Sequence, residues 1–566
     1  MTDFARKLCK FAVALACLAA LTTPSLSGQT QTLVIEGGTL VDGSGGAPLK
    51  DAVVVIEGSR IKAAGAKGSV AYPSDAKVIK AAGMTVLPGL IDAHIHSLDF
   101  FPQLFLHFGV TTVFDTANPT EWVMAQRDAL RKGKIRGPRM FVTGEVIDGP
   151  DTTEDRRDEY RTHVSTPEEA HRVARDLLRR GVDGLKVYQN LTPELLQAIV
   201  EEAHKAGTEA VGHSHDAREA VRVGLKYIEH STPIAHSTLG DPAKVKAMDE
   251  GRLRAPEADM DPNLFGPLID LMAKNGVFYN PTITRVSISA HPKRPQWYAL
   301  AAKLLEDPAY QFIPAERREA WLRTAKGGDR PGNGDRGLEA LRKVEQFTRM
   351  YAQAGGRIIN GPDSGPSSGP ANMAGLAMHV EMEALVDAGL TPMQAILSST
   401  RWAAELLHKE KELGTVTPGK IADVILIEGD PLADIRATQK IRTVIMDGRV
   451  VDTALDPGFR NPIPRPVSEY EMDSRSPDLE ALTPEVALEG DASAEITVTG
   501  RKFNRQSIVR FDTADLPTRF VSQSKLTATV KGSLLKTPGT YAVTVVNPGP
   551  TGGVSSERYL IVKYRN

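Results

Sequence analysis

Cysteine is nearly missing from this chain. Only Cys9 and Cys17 occur among 566 residues, and both fall within residues 1–28. If that segment is removed, no disulfide can form, and the remaining chain is indifferent to an oxidising compartment. Long apolar runs are missing too. Beyond residue 28, no stretch approaches the ~20 residues that a membrane-spanning helix needs. Neither sign of charge prevails: 68 Lys+Arg against 70 Asp+Glu leave a net charge of −2. Without a broad basic field, nucleic-acid binding has no electrostatic support. No internal repeat is visible. What remains is an ordinary globular composition, 41% hydrophobic and 24% charged, which excludes a disordered chain, a coiled coil or a collagen-like repeat. Histidine is sparse, with 13 residues, so where it gathers is informative.

Residues 1–28 read as an export signal. Arg6, Lys7 and Lys10 precede a short apolar run over 11–21, and Ser25, Ser27 and Gly28 surround a plausible cleavage point. A periplasmic or secreted location is therefore expected. Ala14-Leu15-Ala16-Cys17 faintly resembles a lipoprotein processing site, but the apolar stretch is too short and Leu is misplaced, so lipid anchoring is not expected.

After the signal, Thr32-Leu33-Val34-Ile35, Thr39-Leu40-Val41 and Ala52-Val53-Val54-Val55-Ile56 are rich in β-branched residues and separated by Gly or Asp turns. A matching block returns at Ala422-Asp423-Val424-Ile425-Leu426-Ile427 and Thr443-Val444-Ile445-Met446-Asp447-Gly448. One small sheet domain assembled from both flanks, 29–86 and 412–456, accounts for this split. Between them, 87–411 alternates short apolar strands, such as Val110-Thr111-Thr112-Val113-Phe114 and Leu185-Lys186-Val187, with helical stretches. Thr166 and Thr192 stand as N-caps before Pro-initiated helices over 167–180 and 193–206, and Gly207 stops the second. A helix over 217–223 follows. Repeated strand–helix units predict a parallel α/β core, although periodicity alone leaves closure into a barrel open. The charged stretch 240–337 reads equally as a solvated helical elaboration or as a lid. Pro457, Pro462, Pro464 and Pro466 mark a linker over 457–480. Strictly alternating runs in 481–566 then predict a small antiparallel sandwich.

The chemistry-bearing residues sit at the predicted strand ends. In Asp92-Ala93-His94-Ile95-His96, residues i and i+2 of a strand share a face, so two imidazoles aim into one space, as a divalent metal requires. Taken alone, two structural histidines explain that pair as well. Lys186, inside Gly184-Leu185-Lys186-Val187-Tyr188, is costly to bury charged. It is either paired with a carboxylate or a neutral amine that has captured CO2 as a carbamate. Val211-Gly212-His213-Ser214-His215, Ile228-Glu229-His230 and Asn360-Gly361-Pro362-Asp363 complete the set. In a (β/α)8 barrel, strand C-termini share the face where active sites form. A joint metal site explains this order better than separate structural roles.

That order and its local wording resemble the metal-dependent amidohydrolase superfamily, in particular its imidazolonepropionase-like and Xaa-Pro dipeptidase (prolidase-like) branch. The matching phrases are Pro88-Gly89-Leu90-Ile91-Asp92-Ala93-His94-Ile95-His96, Gly109-Val110-Thr111-Thr112, Ile228-Glu229-His230, Asp387-Ala388-Gly389-Leu390-Thr391-Pro392 and Gly414-Thr415-Val416-Thr417-Pro418-Gly419-Lys420-Ile421-Ala422-Asp423, within 31–455. The resemblance implies a closed (β/α)8 TIM-like barrel with a composite β-sandwich built from both flanks. It implies two divalent metal ions, expected to be Zn2+, with His94, His96 and Asp363 on the first, His213 and His230 on the second, and a CO2-derived carbamate on Lys186 as bridge. His215 and Tyr188 are candidate substrate-binding residues, against a packed histidine and a core aromatic. One departure stands out: Thr143-Gly144-Glu145-Val146-Ile147-Asp148-Gly149 lacks the His that branch members often carry there, which puts dipeptide specificity in doubt.

The same resemblance implies hydrolysis of amide C–N bonds in dipeptides (Xaa-Pro type), N-acyl amino acids or cyclic amides. A hydroxide shared by cations about 3.5–4 Å apart would attack, and Asp363 would carry its proton to the leaving nitrogen. The alternatives are a decarboxylase or isomerase on the same fold, or a non-catalytic exported binding protein. The last predicts a broken ligand set, whereas this one is intact. The expected partner is a small-molecule or dipeptide substrate, with no nucleic acid and no transmembrane segment; a homo-oligomer is compatible. Residues 481–566 resemble a TIG/IPT immunoglobulin-like domain through Glu495-Ile496-Thr497-Val498-Thr499-Gly500-Arg501-Lys502-Phe503, Gly539-Thr540-Tyr541 and Asn547-Pro548-Gly549. This part is a spacer, an oligomerisation module or a binder of glycan or protein.

Overall fold

A computed structural model describes residues 32–150, 160–327, 334–366, 368–466, 477–547 and 553–565. The expected export signal over 1–28 lies outside the described residues, as do 467–476 of the linker, 328–333 of the charged stretch, and Pro548-Gly549. Among the described residues, no helix is long and apolar enough to cross a membrane.

The two chain flanks meet in one eight-stranded mixed sheet. Strand Val424–Glu428 runs antiparallel to Met84–Pro88, with Leu426 opposite Val86. Strands Thr32–Leu40, Leu49–Glu57 and Arg60–Ala66 extend the sheet on one side, Ile441–Met446 and Arg449–Val451 on the other. Period-two alternation turns Leu33, Ile35, Val54, Val86, Val424 and Leu426 into one core. Each buried aliphatic of this size contributes roughly 1.5–3 kcal/mol, so the distant flank is held by packing.

Between the flanks lie parallel strands with helices outside. Leu90–Ile95, Val110–Asp115 and Arg139–Val142 form one sheet. Val146–Asp148 carries the last of these on into a second, seven-stranded sheet. That sheet continues through Leu185–Val187, Ala210–Gly212, Tyr227–Glu229, Phe278–Asn280 and Arg357–Ile358. Leu90–Ile95 and Val110–Asp115 are buried along their whole length, as strands covered on both faces must be. Backbone bonds join the two sheets at both seams. At one, Asp183 N donates to Val142 O at 2.7 Å. At the other, His96 N donates to Ser364 O at 2.8 Å and Asp363 N to His94 O at 3.1 Å.

Helix Pro167–Arg180 starts where its cap predicts, with Thr166 Oγ1 accepting from Glu169 N at 3.2 Å and Gly181 closing it at φ 96°. Helices Pro193–Lys205 and Ala217–Arg222 each stop a residue before the expected end, because Ala206 and Val223 serve as C-caps. The charged stretch over 240–337 is not merely a solvated elaboration, because part of it is built into the core. Strand Phe278–Asn280 belongs to the parallel sheet, and helix Phe265–Lys274 buries Phe265, Leu268, Ile269 and Met272. Trp297 and Trp321 are buried as well, their indoles donating to Glu383 Oε2 at 2.9 Å and Ser368 O at 2.7 Å. By contrast, helix Pro242–Asp249 buries none of its residues.

The C-terminal part forms two sheets around its own core of Leu479, Ile496, Val498, Val509, Phe511, Leu526, Val543 and Val545. One pair, Val486–Leu488 with Arg558–Lys563, is parallel where only antiparallel pairing was expected. This part docks beside helix Thr120–Arg131: Lys132 Nζ donates to Tyr541 Oη at 3.0 Å, and Lys134 pairs with Asp512.

Candidate metal centre

The ends of the parallel strands bring His94, His96, Lys186, His213, His230 and Asp363 to one place. The His94 ring centroid lies 5.3 Å from those of His96 and His230, and His213 lies 4.5 Å from His230. Asp363 Oδ1 is 3.1 Å from His96 Nε2 and 3.7 Å from His94 Nε2. His230 and Asp363 sit in the left-handed region, at φ 66° and 57°. Such a backbone costs a non-glycine residue about 1–3 kcal/mol and persists only where neighbours impose it. Here His230 N donates to Asn280 O at 2.8 Å, and Asp363 N to His94 O at 3.1 Å.

Burial keeps most of these imidazoles neutral. It pushes His94 and His213 well below the ordinary histidine range, helped by the charges of Lys186 and neighbouring histidines, and it presses His230 to about 4. For Asp363, burial pushes the carboxyl up, but the hydrogen bond from His96 and the positive charges of His96, His230 and Arg285 prevail and hold it at about 2. The same Asp363 bond outweighs burial at His96 and raises it. Neutral imidazoles beside an ionised carboxylate are the donor set that a divalent cation requires. Two of the rings are oriented from behind: His96 Nδ1 lies 3.2 Å from Ala117 O, and His230 Nδ1 2.6 Å from Thr282 Oγ1.

Lys186 is fully buried, and its Nζ pairs with Glu229 Oε2. Sequence reasoning passed over Glu229 as a site residue, although an acid ending the wholly buried strand Tyr227–Glu229 was a usable signal. Glu229 Oε2 lies 3.6 Å from His94 Nε2 and 3.8 Å from His213 Nε2. Burial pushes its carboxyl up against the opposing pull of Lys186. Two atoms inside this ring, His94 Nε2 and Glu229 Oε1, are buried without a hydrogen-bond partner. Buried polar atoms are rarely left so, and the free Nε2 of His94 is one that a bound cation would take up. Two overlapping triads offer ligand atoms within 4.8 Å of one another: His94, His96, Asp363 and His94, Glu229, His230.

Arg285, which no sequence pattern singled out, places Nε 3.2 Å from Asp363 Oδ2. Tyr188 stacks on His213 at 4.3 Å, and the Arg161 guanidinium lies 4.2 Å over the Tyr188 ring. In the stretch 143–149, strand Val146–Asp148 ends in buried Asp148, which pairs with Arg161 at 2.5 Å. His163, on the adjacent strand, reaches Gly149 O at 2.6 Å. His215 does not join the buried group. Its ring lies 4.2 Å from His236, and its Nε2 3.2 Å from Asp249 Oδ1. The strand ends at Gly212, so its alternation no longer directs a side chain three residues on.

Parallel strands ending in imidazoles, a buried lysine and an aspartate define a metal-binding α/β fold. Residues 103–451 match the Amidohydrolase family, and the chain belongs to that family. It is 33% identical over 102 residues to an enamidase of Eubacterium barkeri, a match covering 16% of this chain and 26% of that protein. The chain thus spans about a quarter of that relative. A solved Xaa-Pro dipeptidase with bound methionine in the active site is 24% identical, with coverage of 75% of this chain and 100% of that one and a TM-score of 0.53. Molinate hydrolase is 22% identical, with coverage of 75% and 95% and a TM-score of 0.56. At these identities, the solved structures establish the fold.

Proposed function

We propose that this chain is an exported metal-dependent hydrolase of amide C–N bonds. Its substrates are dipeptides (Xaa-Pro type), N-acyl amino acids or cyclic amides. The observation that carries the reading is His94 Nε2, buried and partnerless between Asp363 at 3.7 Å and Glu229 at 3.6 Å. His94, His96 and Asp363 would hold one divalent cation and His213 and His230 a second, with Lys186, as a carbamate, a further anionic ligand. Divalent cations, Zn2+ by the histidine-rich donor set, supply a water acidified towards neutrality and polarise a carbonyl oxygen.

The chain's own groups do the rest. Asp363 accepts a proton at its carboxylate and passes it to the leaving nitrogen. Arg285 holds Asp363 Oδ2 and keeps Oδ1 turned towards the histidines. Arg161 and Tyr188, stacked above His213, face substrate. A second reading concerns Glu229. Carbamylation turns the Lys186 cation into an anion, so it cannot coexist with the Glu229 ion pair. If Lys186 stays an amine, Glu229 is the anionic ligand, which the triad His94, Glu229, His230 favours. Labelled bicarbonate read by NMR separates the two states.

The same proposal divides the chain into a closed (β/α)8 barrel over 87–411, a composite β-sandwich from 29–86 and 412–456, and a TIG/IPT-like module over 481–566. The test is a screen of metal-loaded protein against dipeptide and N-acyl-amino-acid libraries, with Asp363→Asn alongside and metal content measured by elemental analysis. Release of free amino acid, lost in the variant, is expected. Loss of CO2 points to a decarboxylase, and silence with glycan binding to a binding protein. Unchanged hydrolysis in a metal-replete Asp363→Asn variant removes Asp363 as the proton carrier.

A further inference from the structure

We propose that His215, His236 and Asp249 form a separate site for one divalent transition-metal ion of the zinc class, on the rim beside the buried centre. The three come from different elements. His215 lies in the loop after strand Ala210–Gly212, His236 on helix Thr232–Thr238, and Asp249 at the end of helix Pro242–Asp249. Their ligand atoms all lie within 4.8 Å of one another. Asp249 Oδ1 is 3.2 Å from His215 Nε2 and 3.1 Å from His236 Nε2. Zinc bonds of about 2.0–2.1 Å in tetrahedral geometry put ligand atoms roughly 3.3 Å apart, so these separations are close to two edges of a coordination tetrahedron.

The surroundings match those of a metal ligand. On its far side, His236 Nδ1 lies 3.0 Å from Asp216 Oδ2. A carboxylate behind a ligating imidazole fixes its tautomer and turns the Nε2 lone pair to the ion. His215 and Asp249 are about half-exposed, at 47% and 41%, so an ion can enter from solvent. Helix Pro242–Asp249 buries no residue fully and is held through Lys244, whose Nζ lies 2.7 Å from Asp259 Oδ1; an ion on Asp249 would tether its far end to the rim. Two histidines and one carboxylate leave a coordination position for water.

The test is metal stoichiometry. Full-length protein is dialysed free of loosely bound metal, equilibrated with micromolar Zn2+, and analysed by elemental analysis. Wild type is expected to carry one equivalent more than His215→Gln, an exposed change that spares the core, and one more than His236→Ala. Asp216→Asn, which can still cap its helix, is expected to weaken that equivalent about 10–100-fold. Hydrogen exchange in 242–249 should slow on adding Zn2+ in wild type and not in His215→Gln. Equal zinc in wild type and His215→Gln, with unchanged exchange, overturns the site and leaves a His–Asp–His hydrogen-bonded cluster. The same comparison in a His94→Ala background keeps the outcomes apart: failure of the buried centre lowers both totals, whereas the rim equivalent persists as their difference.

Discussion

At the scale of single residues, Lys186 and Glu229 form an ion pair with both side chains shut off from solvent. Removing one partner of such a pair strands the other charge in a medium that cannot solvate it, at about 3–5 kcal/mol. Glu229→Gln is therefore expected to destabilise the metal-free protein by about that amount in urea unfolding. The double change Lys186→Met/Glu229→Gln should recover most of the loss. In metal- and bicarbonate-loaded protein, the cost of Glu229→Gln should shrink, because a carbamate no longer needs that partner. An equal or larger cost in the loaded state speaks for an unmodified lysine. Sequence reasoning reached Lys186 because a lysine amid apolar neighbours is anomalous within a few residues. It missed Glu229 as a partner because the pairing joins two strands that only the fold makes close.

At the scale of elements, the turn after Arg357–Ile358 is shaped around the first strand of the core. A Cβ on Gly361 would lie 2.6 Å from His94 Cβ and 2.9 Å from His94 N, and one on Gly365 would lie 2.9 Å from His96 Cβ. Gly361→Ala is therefore expected to push His94 aside and to weaken metal retention on dialysis more than tenfold, while circular dichroism stays unchanged. Full retention of metal would show that the turn has slack. Helix starts behaved differently. Thr166 and Thr192 announced theirs through a hydroxyl followed by proline, a signal confined to one turn. Thr166→Ala should cost about 1 kcal/mol in chemical denaturation, with no effect on metal content.

At the scale of the whole molecule, stability should depend on pH through buried groups away from the metal centre. His379 is fully buried, its Nε2 2.9 Å from Phe108 O, and burial presses it from 6.5 to about 4. Its folded value is below its unfolded one. Above 6.5 both states are neutral, and its contribution is intact. As pH falls from 6.5 towards 4, the unfolded state protonates first, and about 3 kcal/mol is lost at 1.36 kcal/mol per unit. Asp99, raised to about 7 by burial, works in the opposite sense, since its neutral form folds more readily. The measurement is thus a comparison: His379→Gln should show a shallower loss of melting temperature from pH 7 to about 4.5 than wild type. Parallel curves refute the assignment. The C-terminal part has its own core and meets the parallel α/β part through Lys132–Tyr541 and Lys134–Asp512.

Residue order was enough to point to the histidines, lysine and aspartate at strand ends, the capped helices and the split outer sheet. Each of these is written in spacing, period and turn chemistry over a few residues. Only the three-dimensional packing decided that Glu229 faces Lys186, that Arg285 holds Asp363, and that His215 turns away to His236 and Asp249. The sheet seams at Asp183 and Ser364 were decided there too. These are contacts between segments far apart in the chain, whose energies depend on distances through space that local periodicity does not record.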